Sequence, residues 1–132
     1  MKQLFASVLV VALLSSFASA QEDLWQIYNS GDRQAALDRG TELLKESPDD
    51  RDLHHLVGRA LADLGRNEEA RPHLEFCIDG DVRDWRYAWS LFYLGGIEVA
   101  EGGFEAAREA WLEVRDSQIT QHVVRSAATN LR

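Results

Sequence analysis

Residues 51–78 read RDLHHLVGRALADLGRNEEARPHLEFCI, and the spacing inside this stretch decides the fold. Leu53, Leu56, Val57, Ala60, Leu61 and Leu64 recur at steps of three and four, which gives a helix one apolar stripe to bury. Gly65 interrupts the run, and Ala70, Leu74, Cys77 and Ile78 then begin a second stripe of the same period. The stretch is a helical hairpin that turns at Gly65, where a left-handed backbone costs least.

The hairpin recurs along the chain. Gly31 and Gly65 stand 34 residues apart, and Gly65 and Gly102 stand 37 apart. Ala36, Ala70 and Ala107 show the same two intervals, as do Ala35, Glu69 and Ala106, and Gly58 and Gly95 are again 37 apart. A fixed period of this length marks stacked supersecondary units. The polar run Asp79-Gly80-Asp81-Val82-Arg83-Asp84, between two apolar-patterned segments, is the natural place for the three extra residues. Pro48, Asp49 and Asp50 close the first period and start the next helix. In the third period Leu91, Leu94, Gly95 and Ile97 precede the Gly102-Gly103 turn, and Phe104, Ala107, Ala110, Trp111 and Val114 follow it. Short residues at Ala36, Gly58, Ala70, Gly95 and Ala107 let paired helices approach closely. A last stripe of Ile119, Val123, Val124, Ala127, Ala128 and Leu131 suits the end-cover that a repeat stack needs.

Leu94, Gly95, Gly102, Phe104, Ala107 and Trp111, in that spacing, resemble the motif of the tetratricopeptide repeat family. Val57, Gly58, Gly65, Ala70 and Leu74 repeat it with Asn67 in place of the aromatic. The first unit keeps Gly31, Ala36 and Pro48 but has Gly40 where a large residue is usual. The resemblance covers roughly residues 21–115. It implies an all-α, tetratricopeptide-type right-handed superhelix of about three helical hairpins plus a C-terminal capping helix. The units are expected at about 21–50, 51–84 and 85–115, with the cap at about 117–131, all within a domain spanning 21–132.

The resemblance also implies a protein or peptide partner, held along a concave face built from the first helix of each hairpin. Carried over by register, that face takes Trp25, Tyr28 and Asn29 from the first unit and Asp52, His55, Arg59 and Asp63 from the second. Trp89, Phe92, Gly96 and Val99 come from the third. The expected partner-binding residues are Trp25, Tyr28, Asp52, His55, Arg59, Asp63, Trp89 and Phe92. For Trp89 and Phe92 two placements stay open: lining the groove, or packing against a loop or the last helix, since Trp85, Tyr87 and Tyr93 lie nearby. The clamp of Lys, Asn and Arg with which some members grip a C-terminal carboxylate is not supported, because Leu56 and Tyr93 occupy its polar positions.

Residues 1–20 have the form of a secretory leader, with Lys2 as a positive start, an apolar run from Leu4 to Leu14, and Ala18-Ser19-Ala20 before a cleavage expected at Gln21. This eleven-residue stretch, apolar except for Ser7, would span roughly 16 Å as a helix, against a hydrocarbon core of roughly 30 Å. Export to the periplasm of a bacterium, or otherwise secretion, is expected, with no stable membrane insertion after processing.

The chain carries 14 Lys and Arg against 22 Asp and Glu, a net charge of −8 that becomes −9 when Lys2 is removed with the leader. That balance disfavours nucleic acid, whose phosphates are held by cationic side chains, and anionic membrane surfaces for the same reason. A single cysteine, Cys77, excludes an internal disulfide, and its neighbours Leu74 and Ile78 place it inside a helix stripe.

Of the four histidines, His54 and His55 point about 100° apart on a helix, and His73 can approach His54, but no further ligand completes a metal set. Glu98 stands where an aromatic is usual and is expected to pair with an arginine such as Arg108. Nothing has the form of a nucleophile with its base, a phosphate-cradling loop or a pair of catalytic acids, so neither catalysis nor a cofactor is expected. The sequence thus predicts an exported scaffold that binds a protein or peptide. The alternative is a self-associating structural subunit, possible as a homo-oligomer, or an assembly factor of a cell-envelope complex.

Overall fold

The structure, a computed structural model, describes residues 16, 19–119 and 121–131. The expected leader at 1–20 lies almost wholly outside the described residues. All regular structure among the described residues is helical. The helices are α1 (19–29), α2 (Arg33–Glu46), α3 (Arg51–Asp63), α4 (Asn67–Ile78), α5 (Trp85–Ala100), α6 (Phe104–Ser117) and α7 (Gln121–Asn130).

Local chemistry sets these boundaries. Asp32, Asp50 and Asp84 cap α2, α3 and α5, their carboxylates accepting hydrogen bonds from Ala35 N at 2.9 Å, Leu53 N at 3.0 Å and both Arg86 N and Tyr87 N at 3.1 Å. The turns after α3 and α5 pass through Gly65 and Gly102 at φ +77° and +81°, which a side chain would strain.

Consecutive helices pack against each other from α2 to α7, and their short connections make each pair antiparallel. In addition α3 touches α5 and α5 touches α7, whereas α2, α4 and α6 make no such contacts with one another. The odd-numbered helices therefore form one layer, with Trp25 of α1 beside His55 of α3, and the even-numbered helices sit apart behind it.

Helices approach closely where side chains vanish. A methyl group at Gly58 would stand 2.9 Å from Leu74 Cγ, and one at Gly95 would stand 2.8 Å from Trp111 Cδ1 and Cε2. Ala36, Ala70 and Ala107 are all buried. Two apolar clusters result. One joins α1 to α4 and the far end of α5 around Leu24, Leu53, Leu56 and Leu74, and the other joins α5, α6 and α7 around Leu91, Trp111, Val114 and Val123. Cys77 is buried in the fold, as its stripe predicts.

The structure moves the three extra residues of the second interval. From the start of α2 to the start of α3, and from α4 to α5, the distance along the chain is the same, 18 residues (33 to 51 and 67 to 85). The excess lies instead in α5, which has 16 residues where α3 has 13. Residues 79–84 form a connection two residues longer than the first, 47–50, but α4 is two residues shorter than α2, so the segment as a whole holds no net insertion. The added residues form an extra first turn of α5, which carries Trp85, Arg86 and Tyr87. Asp84 accepts from Arg51 Nη1 at 2.7 Å and Arg86 Nη1 at 2.9 Å as well as capping the helix, so the turn is fastened to α3. Burial on its own would raise the Asp84 pKa, but the two guanidinium groups hold it below the usual carboxylate range.

Candidate functional site

The odd-helix layer gathers an aromatic cluster around one cation. Arg59, from the middle of α3, has its guanidinium carbon 4.8 Å from the ring centre of Trp89, 5.0 Å from Tyr28, 5.2 Å from Tyr93 and 5.8 Å from Trp25. Two helices supply these rings: α1 gives Trp25 and Tyr28, and α5 gives Trp89 and Tyr93. The ring faces offer the cation a negative quadrupole. They offer its N–H donors no lone pair.

Among the described residues the cation has no anionic partner. Asp63, one turn along α3, is the carboxylate that helix spacing would assign to Arg59. It is taken instead by Arg33 Nε at 2.8 Å and by the Tyr28 hydroxyl, which donates to it at 2.6 Å. Burial and this hydrogen bond push the Tyr28 hydroxyl well above its ordinary pKa, so it stays a neutral donor. The other half-buried arginines are paired: Arg33 with Asp63, Arg51 with Asp84, Arg71 with Glu98 and Glu101, and Arg86 with Asp52 and Asp84. Among the described residues Arg59 has neither an ion pair nor a hydrogen-bond acceptor, and its Nε is buried without one.

One turn before Arg59, His55 is fully buried. Its Nδ1 meets Ser90 Oγ at 3.0 Å, its Nε2 is without a partner, and its ring stands edge-on to Trp85 at 5.1 Å. Burial first, and then the positive charges of Arg59 and Arg86, lower its pKa to about 3 and keep it neutral.

The structure brings most of the expected binding residues together, though not in one role. Trp25, Tyr28, Arg59 and Trp89 converge on the cage. Tyr28 and His55 are buried and can only shape the surface from beneath. Asp52 pairs with Arg86 and Asp63 with Arg33 at the edge. Phe92 is half-buried, edge-on to Trp89 at 5.6 Å and tilted on Trp111 at 6.4 Å, so it turns toward α6. Trp89 meets Arg59 on one side and, as the second of the two placements has it, packs on the other against the last helix, with His122 of α7 at 5.5 Å. Tyr93 and Trp85 belong to the cluster but are not among the expected binding residues: Trp85 stands in the extra first turn of α5, which has no counterpart in α3, and Tyr93 takes the register position of the buried Leu56.

Two further expectations are settled here. Glu98 pairs with Arg71 at 2.6 Å, across the α4–α5 contact, while Arg108 pairs with Glu105 on its own helix, so the partner expected from the next helix is replaced by one from the preceding helix. His54 and His73 do meet, Nδ1 to Nδ1 at 2.8 Å. His54 Nε2 lies 2.7 Å from the Pro48 carbonyl and donates to it, so in the neutral ring His54 Nδ1 is the acceptor and His73 Nδ1 the donor. Among the described residues no group of three or more His, Cys, Asp or Glu is placed to hold a metal ion, and no helix is long and apolar enough to cross a membrane.

Comparison of the chain with family models and with curated proteins finds no match.

Proposed function

We propose that this chain is an exported, tetratricopeptide-type superhelical scaffold that binds a protein or peptide on the concave side of its odd-helix layer, without catalysis. The observation that carries this reading is the cage itself. Arg59, with no acceptor among the described residues, stands among Trp25, Tyr28, Trp89 and Tyr93 on the layer where three helices meet. Aromatic rings and arginine in a partly desolvated setting are the residues from which binding hot spots are built. The 34-residue spacing and the contacts within the odd layer support the superhelical arrangement. The leader-like first twenty residues support export.

Capture of native partners from the cell-envelope fraction tests the proposal. Trp25→Ala, Arg59→Ala and Trp89→Ala should each weaken capture while the far-ultraviolet helical signal persists. Unchanged capture by all three variants would sink it.

A second reading, self-association into an envelope complex, is favoured by one observation. A groove of about 500 Å³ at the α5–α6 end is lined by Gly96, Val99, Phe104, Trp111 and Leu131, and Phe104 is 69% exposed in it. Light scattering at high protein concentration separates the two, since a strict monomer excludes self-assembly.

A further inference from the structure

Resting on the docking face proposed above, we infer that its anchor subsite recognises a single side-chain carboxylate, an Asp or Glu of the partner flanked by apolar or basic residues.

The chemistry of Arg59 sets the class of ligand. A guanidinium carries five N–H donors and no acceptor, and four surrounding rings balance part of its charge without accepting a hydrogen bond. Its neighbours on the face are committed elsewhere: Asp63 to Arg33 and Tyr28, Asp52 to Arg86, and Asp84 to Arg51 and Arg86. What the site lacks is an oxygen anion in a planar fork, which a carboxylate supplies bidentately. Rings beside the fork exclude water and strengthen that contact.

Charge decides how many anions the partner brings. Arg59 is the one uncompensated cation of the cage, so a monoanion is matched. A phosphate dianion, or a run of acidic residues, would leave excess negative charge beside Arg59 on a chain that already carries −8. Trp25 and Trp89 flank the cation, so the residues on either side of the acid meet apolar surface. Basic flanking residues would be favoured by the net charge of −8 on the chain.

Selection from a random decapeptide library displayed on phage, with each peptide fused at its C-terminus so that no free terminal carboxylate is present, tests this on the purified chain. Peptides retained by the wild type should be enriched about tenfold or more in Asp or Glu at one position with apolar or basic neighbours, the ratio that a charge-assisted hydrogen bond supplies. Arg59→Gln should lose that enrichment. Arg59→Lys, which keeps the stem and the charge, should retain it in weaker form, with circular dichroism confirming that both variants are helical. An acid preference that is absent from the wild type, or that persists undiminished in Arg59→Gln, overturns the inference. Enrichment only in a library with free C-termini overturns it in favour of a terminal carboxylate. Peptides without an acid preference whose retention is lost in Trp25→Ala and Trp89→Ala would refute the carboxylate and leave the docking face standing. Failure to select any peptide would count against both.

Discussion

Adjacent glycines in α5 should respond to the same substitution with opposite signs. At Gly96 a methyl group meets nothing within 4 Å, so Gly96→Ala changes only the backbone, and the protein should gain about 0.5–1 kcal/mol from better helix propensity. At Gly95 the methyl would stand 2.8 Å from two atoms of the Trp111 indole. That ring cannot simply swing away, because it is buried and its Nε1 donates to the Phe92 carbonyl at 3.0 Å. Overpacking costs about 1–3 kcal/mol, and stranding the indole N–H costs about 1–3 more if the ring turns. With both costs set against a propensity gain of about 1 kcal/mol, Gly95→Ala should be destabilised by roughly 1–5 kcal/mol. Urea unfolding followed by circular dichroism reads both variants, and their midpoints should fall on opposite sides of the wild type. A Gly95→Ala protein as stable as Gly96→Ala would refute the close α5–α6 approach.

Other consequences follow from the buried ionisable groups. His55 has its pKa lowered from 6.5 to about 3 in the fold, so the unfolded chain binds the extra proton first. Stability is therefore unaffected above pH 6.5 and is lost as pH falls below it, by about 2 kcal/mol at pH 5. Urea midpoints between pH 7.5 and 5 should show this slope, and His55→Gln should flatten it. Burial pushes the Cys77 thiol up to about 11, so a disulfide-exchange reagent at pH 8 should modify it only as fast as the protein opens, with the rate rising in mild urea. Asp84→Ala removes a helix cap and two half-buried ion-pair contacts together and should cost about 2–4 kcal/mol, whereas Asp84→Asn keeps the cap and should lose less in the same unfolding measurement.

Periodicity made the helices legible. The turn glycines and the short residues at Gly58, Ala70, Gly95 and Ala107 are local requirements, and each lies where its spacing predicts. The extra turn of α5 was not legible, because Asp79, Asp81 and Asp84 are all competent caps by residue type. Asp84 prevails through Arg51, which reaches it from 33 residues away. The partner of Glu98 escaped for a related reason: Arg71 and Arg108 are both plausible from sequence, and only the packing of α4 on α5 selects Arg71. Register placed Arg59 on the binding face, but its isolation could not be read from the sequence. Asp63 stands at ideal helical spacing for it, and only the fold shows that Arg33 and Tyr28 claim that carboxylate first.

Site-specific photocrosslinking in the native cell tests the docking face most directly. A benzoylphenylalanine replacing Trp89, beside Arg59 on the odd-helix layer, should trap a discrete protein partner, and the same group replacing the exposed Glu68 of α4 should not. Adducts of equal yield and identity from both positions, or adducts from Glu68 alone, would contradict a binding face built on the odd-numbered helices.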